Sequence, residues 1–258
     1  MLSYLCGMKA FFDITLPTSW ASLTDRQLRY AYRQIARGLS LPAITALCLL
    51  KWGELQVKFQ HPKGIYHIRC RRSRETAALS LSQLTAAAQT LNWLGEIPSE
   101  PIRLSRIGRH RALPADFQEV PFEKFLCADN LYQGYLHTDN PELLNDLAAV
   151  LYDARRMRLS NEEMLSVFYW FLSLKHFFAK RFPHFLKPEV SSDNLLGYQP
   201  DIAKRLTTSM NAQIRALTGG DITKESTILQ TDTWRALTEL DAKAADAEEF
   251  EKISKQHK

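Results

Sequence analysis

Val167-Phe-Tyr-Trp-Phe-Leu-Ser-Leu-Lys-His-Phe-Phe-Ala-Lys-Arg-Phe182 decides the fold class. Its rings fall on every side of a helix, and a helix that is apolar all round normally sits at the centre of a core. Just upstream, Ser160 and Glu163 have the spacing of a capping box, in which hydroxyl and carboxylate each satisfy a free backbone N–H. The pattern therefore predicts a helix from Ser160 to Phe182. A second reading stays open, in which part of the girdle is covered by a partner or another subunit. Phe168, Trp170, Phe171, Phe177 and Phe178 are the candidate contact residues.

The neighbouring segments carry the same periodicity. Helices are expected at Pro121 to His137, Pro141 to Tyr152 and Asp201 to Leu217, and Gly219-Gly220 then separates a last long helix running from Asp221 onward. In that last helix Ile222, Leu229, Trp234, Leu237, Leu240, Ala244 and Ala247 fall broadly on one side, while Ile228, Phe250 and Ile253 point away. Apolar residues off the packed stripe are either incidental exposure or a docking surface. Trp234, Phe250 and Ile253 join the candidate contacts on the second reading.

Upstream the pattern is mixed. Phe11 to Leu16 reads as a short strand ended by Pro17. Thr24 with Gln27 forms another capping box, opening a helix to about Arg37 that Gly38 closes. Leu28, Ala31, Tyr32 and Ile35 make its apolar face, and Arg26, Arg29, Arg33 and Arg37 line the other side. A second helix is expected from Pro42 to Trp52. Leu55 to Gln60 and Tyr66 to Cys70 alternate around His61-Pro62-Lys63-Gly64, which predicts a β-hairpin. Leu55, Val57, Phe59, Tyr66, Ile68 and Cys70 should form its apolar face, with Lys58, His67, Arg69 and Arg71 opposite and Arg72 and Arg74 following. A helix is expected from Ser80 to Leu94 with Leu81, Leu84, Ala88 and Leu91 as its stripe. Glu96 to Pro121, with four prolines and four arginines, reads as a long connection.

The expected fold is thus mainly α and multi-helical, with a small antiparallel β-hairpin near residues 55–71. The expected division is a basic α+β region over 8–115 and an all-α region over 116–258 ending in a long helix. Residues 1–115 hold 16 Lys and Arg against 6 Asp and Glu, and residues 116–258 hold 17 against 22. That asymmetry hints at an acidic partner for the first half. Hydrophobic residues at 45% and charged residues at 24% are ordinary for a folded protein and exclude disorder of the whole chain.

Nothing in the sequence matches a catalytic motif: there is no glycine-rich phosphate loop, G-x-S-x-G or H-E-x-x-H. His67 and Cys70 alone do not make a metal site, so neither metal nor cofactor is expected. Cys6, Cys48, Cys70 and Cys127 have no regular spacing and read as buried thiols in a reducing compartment. The start of the chain lacks the basic flank and apolar core of a signal peptide, and a start at Met8 with seven extra residues before it is one account of the segment. The longest apolar run, Met164 to Leu174, falls well short of the roughly 20 residues a membrane span needs.

Four stretches carry a family resemblance: LPTSWASLTDRQLRYAYRQIA (16–36), RALPADFQEVPFEKFLCADNLYQGYL (111–136), VFYWFLSLKHFFAKRFPHF (167–185) and MNAQIRALTGGDITKESTILQTDTWRALTELDAKA (210–244). They resemble proteins of Bacteroidetes prophage and mobile-element clusters, whose members look like phage tail assembly chaperones. The resemblance implies a non-catalytic protein of the bacterial cytoplasm, or of the virion, acting by protein–protein binding. Its implied partner is the tape-measure protein or another tail protein, with a homo-oligomer as a further expectation. The residues themselves also support an alternative, a nucleic-acid-binding protein of a mobile element using Arg26, Arg29, Arg33, Arg69, Arg71 and Arg72 against phosphate.

Overall fold

Thr24 accepts the Gln27 backbone N–H through its hydroxyl, and the Gln27 side-chain oxygen accepts the Thr24 N–H at 3.0 Å, so the first long helix begins where the sequence places it. The computed structural model describes residues 14–62, 64–186 and 202–256 of the 258. The expectations for Met8, Cys6 and Phe11 lie outside these residues, and Ile14 to Leu16 have no regular structure. The chain divides into two compact units, one ending at Pro98 and one beginning at Ser99.

In the first unit α1 (Asp25–Ala36) and α2 (Leu41–Trp52) precede a three-stranded antiparallel meander, β1 (Leu55–His61), β2 (Ile65–Cys70) and β3 (Thr76–Ser80), followed by α3 (Leu81–Gln89). Leu28, Ala31 and Tyr32 of α1 are buried as the periodicity requires. Trp20 stacks on Tyr32 at 5.6 Å and donates its indole N–H to the Glu96 carbonyl at 3.0 Å, which ties both ends of the unit together. Gly64, at φ +75°, makes the left-handed turn of the hairpin, and its N–H donates to the His61 carbonyl.

Three details differ from the expectation. First, β3 adds a strand to the hairpin, and Ile68, Ala77 and Leu79 form a small core packed by Leu55, Tyr66 and Leu84. Second, the β1–β2 register shifts between Val57 and Phe59, leaving Lys58 as the extra residue of a bulge. A one-residue slip moves every later side chain to the other face, so Phe59 pairs with His67 instead of joining the apolar face. Its ring stacks on His67 at 4.0 Å and remains 53% exposed. Third, α3 stops at Gln89, where the Thr90 hydroxyl caps the Ala87 carbonyl, and a 3-10 turn over Asn92–Gly95 replaces its last expected turn.

The second unit starts with a two-stranded ribbon, β4 (Arg106–Ile107) and β5 (His110–Arg111), inside the stretch expected to be a plain connection. Leu104, Ile107 and Ala112 are buried here, the Tyr152 hydroxyl donates to the Leu104 carbonyl at 2.9 Å, and the Leu113 N–H donates to Leu151. Residues 99–115 therefore belong to the second unit, and the break falls at the start of the proline-rich stretch and not at 115. The helices are α4 (Phe122–Thr138), α5 (Pro141–Leu151), α6 (Asn161–Arg181), α7 (Ile202–Thr218), α8 (Glu225–Leu229) and α9 (Thr233–Gln256).

The aromatic helix α6 is the centre of this unit, and the Ser160–Glu163 capping box is present. Trp170, Phe171, Leu174 and Phe178 are fully buried, with Phe117 and Phe125 packed around them. The Trp170 indole donates to the Ala115 carbonyl at 2.8 Å, which satisfies its one polar group.

The long terminal helix expected from Asp221 is interrupted. A 3-10 turn and α8 come first, then Gln230 to Asp232 leave the helix beside Val120 to Phe122. Phe122 N–H donates to the Thr231 carbonyl and Thr233 N–H to the Val120 carbonyl, both at 2.8 Å, around a bridge between Pro121 and Asp232. Asp232 caps α9 by accepting from Arg235 N–H and also accepts from Glu119 N–H at 2.7 Å. Backbone partners outside the helix outweigh one more helical turn there.

Candidate functional site

One arginine of α1, Arg26, and one of the β2–β3 turn, Arg71, meet at one place. A cleft of about 650 Å³ opens in the first unit between α1, α2 and the start of the sheet. Its floor is Tyr30, Leu47, Leu50, Trp52 and Leu55, and its rim carries Arg26, Lys51 and Arg71, with Glu54 as the opposing charge. Arg26 comes from the first turn of α1. Arg71 is aimed from the turn after β2, where its N–H donates to the Glu54 carbonyl at 2.9 Å. The Lys51 ammonium lies 5.8 Å from the centre of the Tyr30 ring. Burial pushes the Tyr30 hydroxyl above the ordinary tyrosine range, with Cys48 adding to the shift and Arg37 and Arg33 opposing it.

The six arginines of the nucleic-acid reading do not act as one set. Arg26 and Arg71 line the cleft; Arg29, Arg33, Arg69 and Arg72 are not among its walls. Tyr30 on α1 and Lys51 and Trp52 at the end of α2 were missed from the sequence, because no local pattern places α1 against the end of α2. Counted at the observed break, the first unit holds 12 Lys and Arg against 5 Asp and Glu, and the second 21 against 23. The asymmetry keeps its direction but shrinks.

The candidate contacts on α6 need correction. Trp170, Phe171 and Phe178 are 0% exposed inside their own unit, so no partner reaches them. Phe168 and Phe177 are half-buried, the first against Tyr132 and Tyr135 and the second against Phe178 and Trp234. Trp234 is half-buried too, packs on Phe178 and Phe182, and donates its indole N–H to the Asp116 carbonyl at 2.8 Å. The inner rings of the girdle, Trp170, Phe171 and Phe178, are core, and Phe168 and Phe177 keep a partly exposed edge.

Comparison with protein-family models, curated proteins and solved structures returns no match.

The other end of α9 behaves differently. Ala236, Leu237 and Leu240 are buried, and Asp241 accepts the backbone N–H groups of His184 and Phe185 at 2.8 and 2.9 Å. Glu248 reaches the His184 ring at 3.3 Å. Beyond this clamp Phe250 is 79% exposed and Ile253 48%. Asp246, Glu249, Phe250 and Ile253 recur at i, i+3, i+4 and i+7, which is one helix face, and it lies opposite the Leu237–Leu240 stripe. From the sequence Asp246 and Glu249, with Glu248, read as ordinary solvated helix charge.

A smaller, mostly apolar hollow of about 380 Å³ lies between α4, α7 and α8, lined by Leu126, Cys127, Met210, Ile214 and Leu229 among others. Cys127 is exposed, contrary to the expected buried thiol, whereas Cys48 and Cys70 are buried. No helix among the described residues is long and apolar enough to cross a membrane.

Proposed function

We propose that this chain is a non-catalytic, phage-type assembly protein that works through protein–protein contact, with the outward face at the end of α9 as its contact surface. The observation that carries the reading is the exposure of Phe250 and Ile253 on a helix whose opposite stripe is already buried. Apolar side chains held in water on an ordered helix gain free energy when another surface covers them, at roughly 25 cal/mol per Å². The tail-assembly part of the reading, with the tape-measure protein or another tail protein as partner, is supported by the family resemblance alone.

The test is a chain ending at Ala244, co-expressed with a phage tape-measure protein that co-purifies with the full chain. Loss of co-purification, with a circular dichroism spectrum that keeps the helical signal, is the expected result. A shortened chain that retains every partner overturns the reading.

The nucleic-acid alternative keeps one specific support, the convergence of Arg26, Lys51 and Arg71 on one cleft. Phosphate contacts release counterions, so such binding falls steeply with salt. A gel shift at low ionic strength with no retardation removes it.

A further inference from the structure

Two surfaces of this chain are complementary to each other. The cleft of the first unit has an apolar and aromatic floor beneath a rim of three cations and one carboxylate. The outward face of α9 has the opposite arrangement, an exposed apolar pair beside two carboxylates. We propose that the end of α9, through Asp246, Glu249, Phe250 and Ile253, docks into the Arg26–Lys51–Arg71 cleft of a second copy of the chain. This rests on the reading of α9 as a contact surface and names its partner.

The chemistry matches group by group. Arg26 and Arg71 are exposed and have no carboxylate partner among the described residues, so docking breaks no existing ion pair on that rim. Arginine's planar fork suits bidentate pairing with a carboxylate. Phe250 or Ile253 fills the floor over Leu47, Leu50 and Leu55, and a cleft of about 650 Å³ has room for either side chain. Glu251 is already paired along the helix with Lys255 at 3.6 Å, off the docking face, so helix and ion pair survive the contact. The floor supplies hold and the rim supplies register and orientation.

Sedimentation velocity on the full chain tests the proposal, run across a wide concentration range at low and high salt. The wild type is expected to associate in proportion to concentration, less so at high salt. Three double variants each weaken association by about tenfold or more: Arg26→Glu with Arg71→Glu, Asp246→Lys with Glu249→Lys, and Phe250→Ala with Ile253→Ala. The decisive arm mixes the first two. Each charge-reversed chain alone repels itself, but the acidic cleft of one fits the basic helix of the other, so the mixture regains association. Regain also shows that both variants are folded.

A wild type that is monomeric at every concentration overturns the proposal, as does association indifferent to both reversals or a mixture that stays apart. An oligonucleotide bound by the wild type and lost on cleft reversal, with sedimentation unchanged, assigns the cleft to nucleic acid and also overturns it. If the wild type is monomeric while truncation at Ala244 still strips away a tail protein, this inference fails and the reading of α9 stands.

Discussion

A Cβ placed on Gly53 would lie 2.9 Å from the Leu49 carbonyl oxygen, 3.2 Å from Leu55 and 3.3 Å from Ile14. The closest of these is backbone at the end of α2 and cannot rotate away. At Gly95 the nearest atom is the Leu41 Cδ2 at 2.8 Å, the tip of a flexible side chain. The two substitutions should therefore differ in cost. Gly53→Ala is expected to destabilise the first unit by roughly 1–3 kcal/mol, the range for overpacking against a rigid neighbour, and Gly95→Ala by less. Urea midpoints of the two variants check this, and equal shifts would contradict the geometric argument. The sequence offered no hint of the difference, because both glycines look like helix terminators there. Trp170 makes the opposite case. A ring-dense helix announced a core residue, and the structure places it at 0% exposure with its indole N–H satisfied. Trp170→Ala should cost about 3–5 kcal/mol, the usual range for deleting a fully buried large aromatic.

Elements were legible where a local rule governs them. The boxes at Thr24 and Ser160 use only residues three apart, so the starts of α1 and α6 follow from the sequence. The bulge at Lys58 and the split between α8 and α9 depend on distant backbone, and no local pattern reveals them. The split makes a prediction at this scale. Asp232 holds both the Arg235 N–H, as the cap of α9, and the Glu119 N–H, 113 residues away. Asp232→Ala removes both acceptors and should lower the stability of the second unit by roughly 1–3 kcal/mol, one lost cap plus one lost charge-assisted hydrogen bond. Asp232→Asn keeps an acceptor oxygen and should recover part of that loss. Thermal melts followed by circular dichroism distinguish them, and an Asn variant as unstable as the Ala variant would show that the carboxylate charge matters more than the bonds. The candidate site divides in the same way. The exposed end of α9 could be read from helical phase, whereas Arg26 and Arg71 share a cleft only because α2 packs against both α1 and β1.

At the scale of the whole chain the two units share an alkaline weakness. Burial pushes the Cys48 thiol of the first unit up from 9.0 to about 12. In the second unit burial, helped by Asp129 and Tyr135, pushes the Tyr132 hydroxyl from 10.0 to about 12. Both groups are neutral when protonated, and both hold the proton more tightly folded than unfolded. Below pH 9 each is protonated in either state and contributes no slope. Above that the unfolded chain releases the proton first, so stability falls with rising pH, by at most roughly 1.4 kcal/mol per pH unit for each group. The windows run from 9 to about 12 for Cys48 and from 10 to about 12 for Tyr132. Urea denaturation at a series of pH values should show this decline. Tyr132→Phe keeps the ring packed on Phe171 at 5.2 Å while removing the ionising hydroxyl, so it should flatten the slope above pH 10 with little change at pH 7. Cys48→Ala should flatten it from pH 9, beside a smaller cavity cost that does not depend on pH. A decline equally steep in both variants would assign the alkaline sensitivity to other groups, Tyr30 first among them, since burial raises it in the same direction.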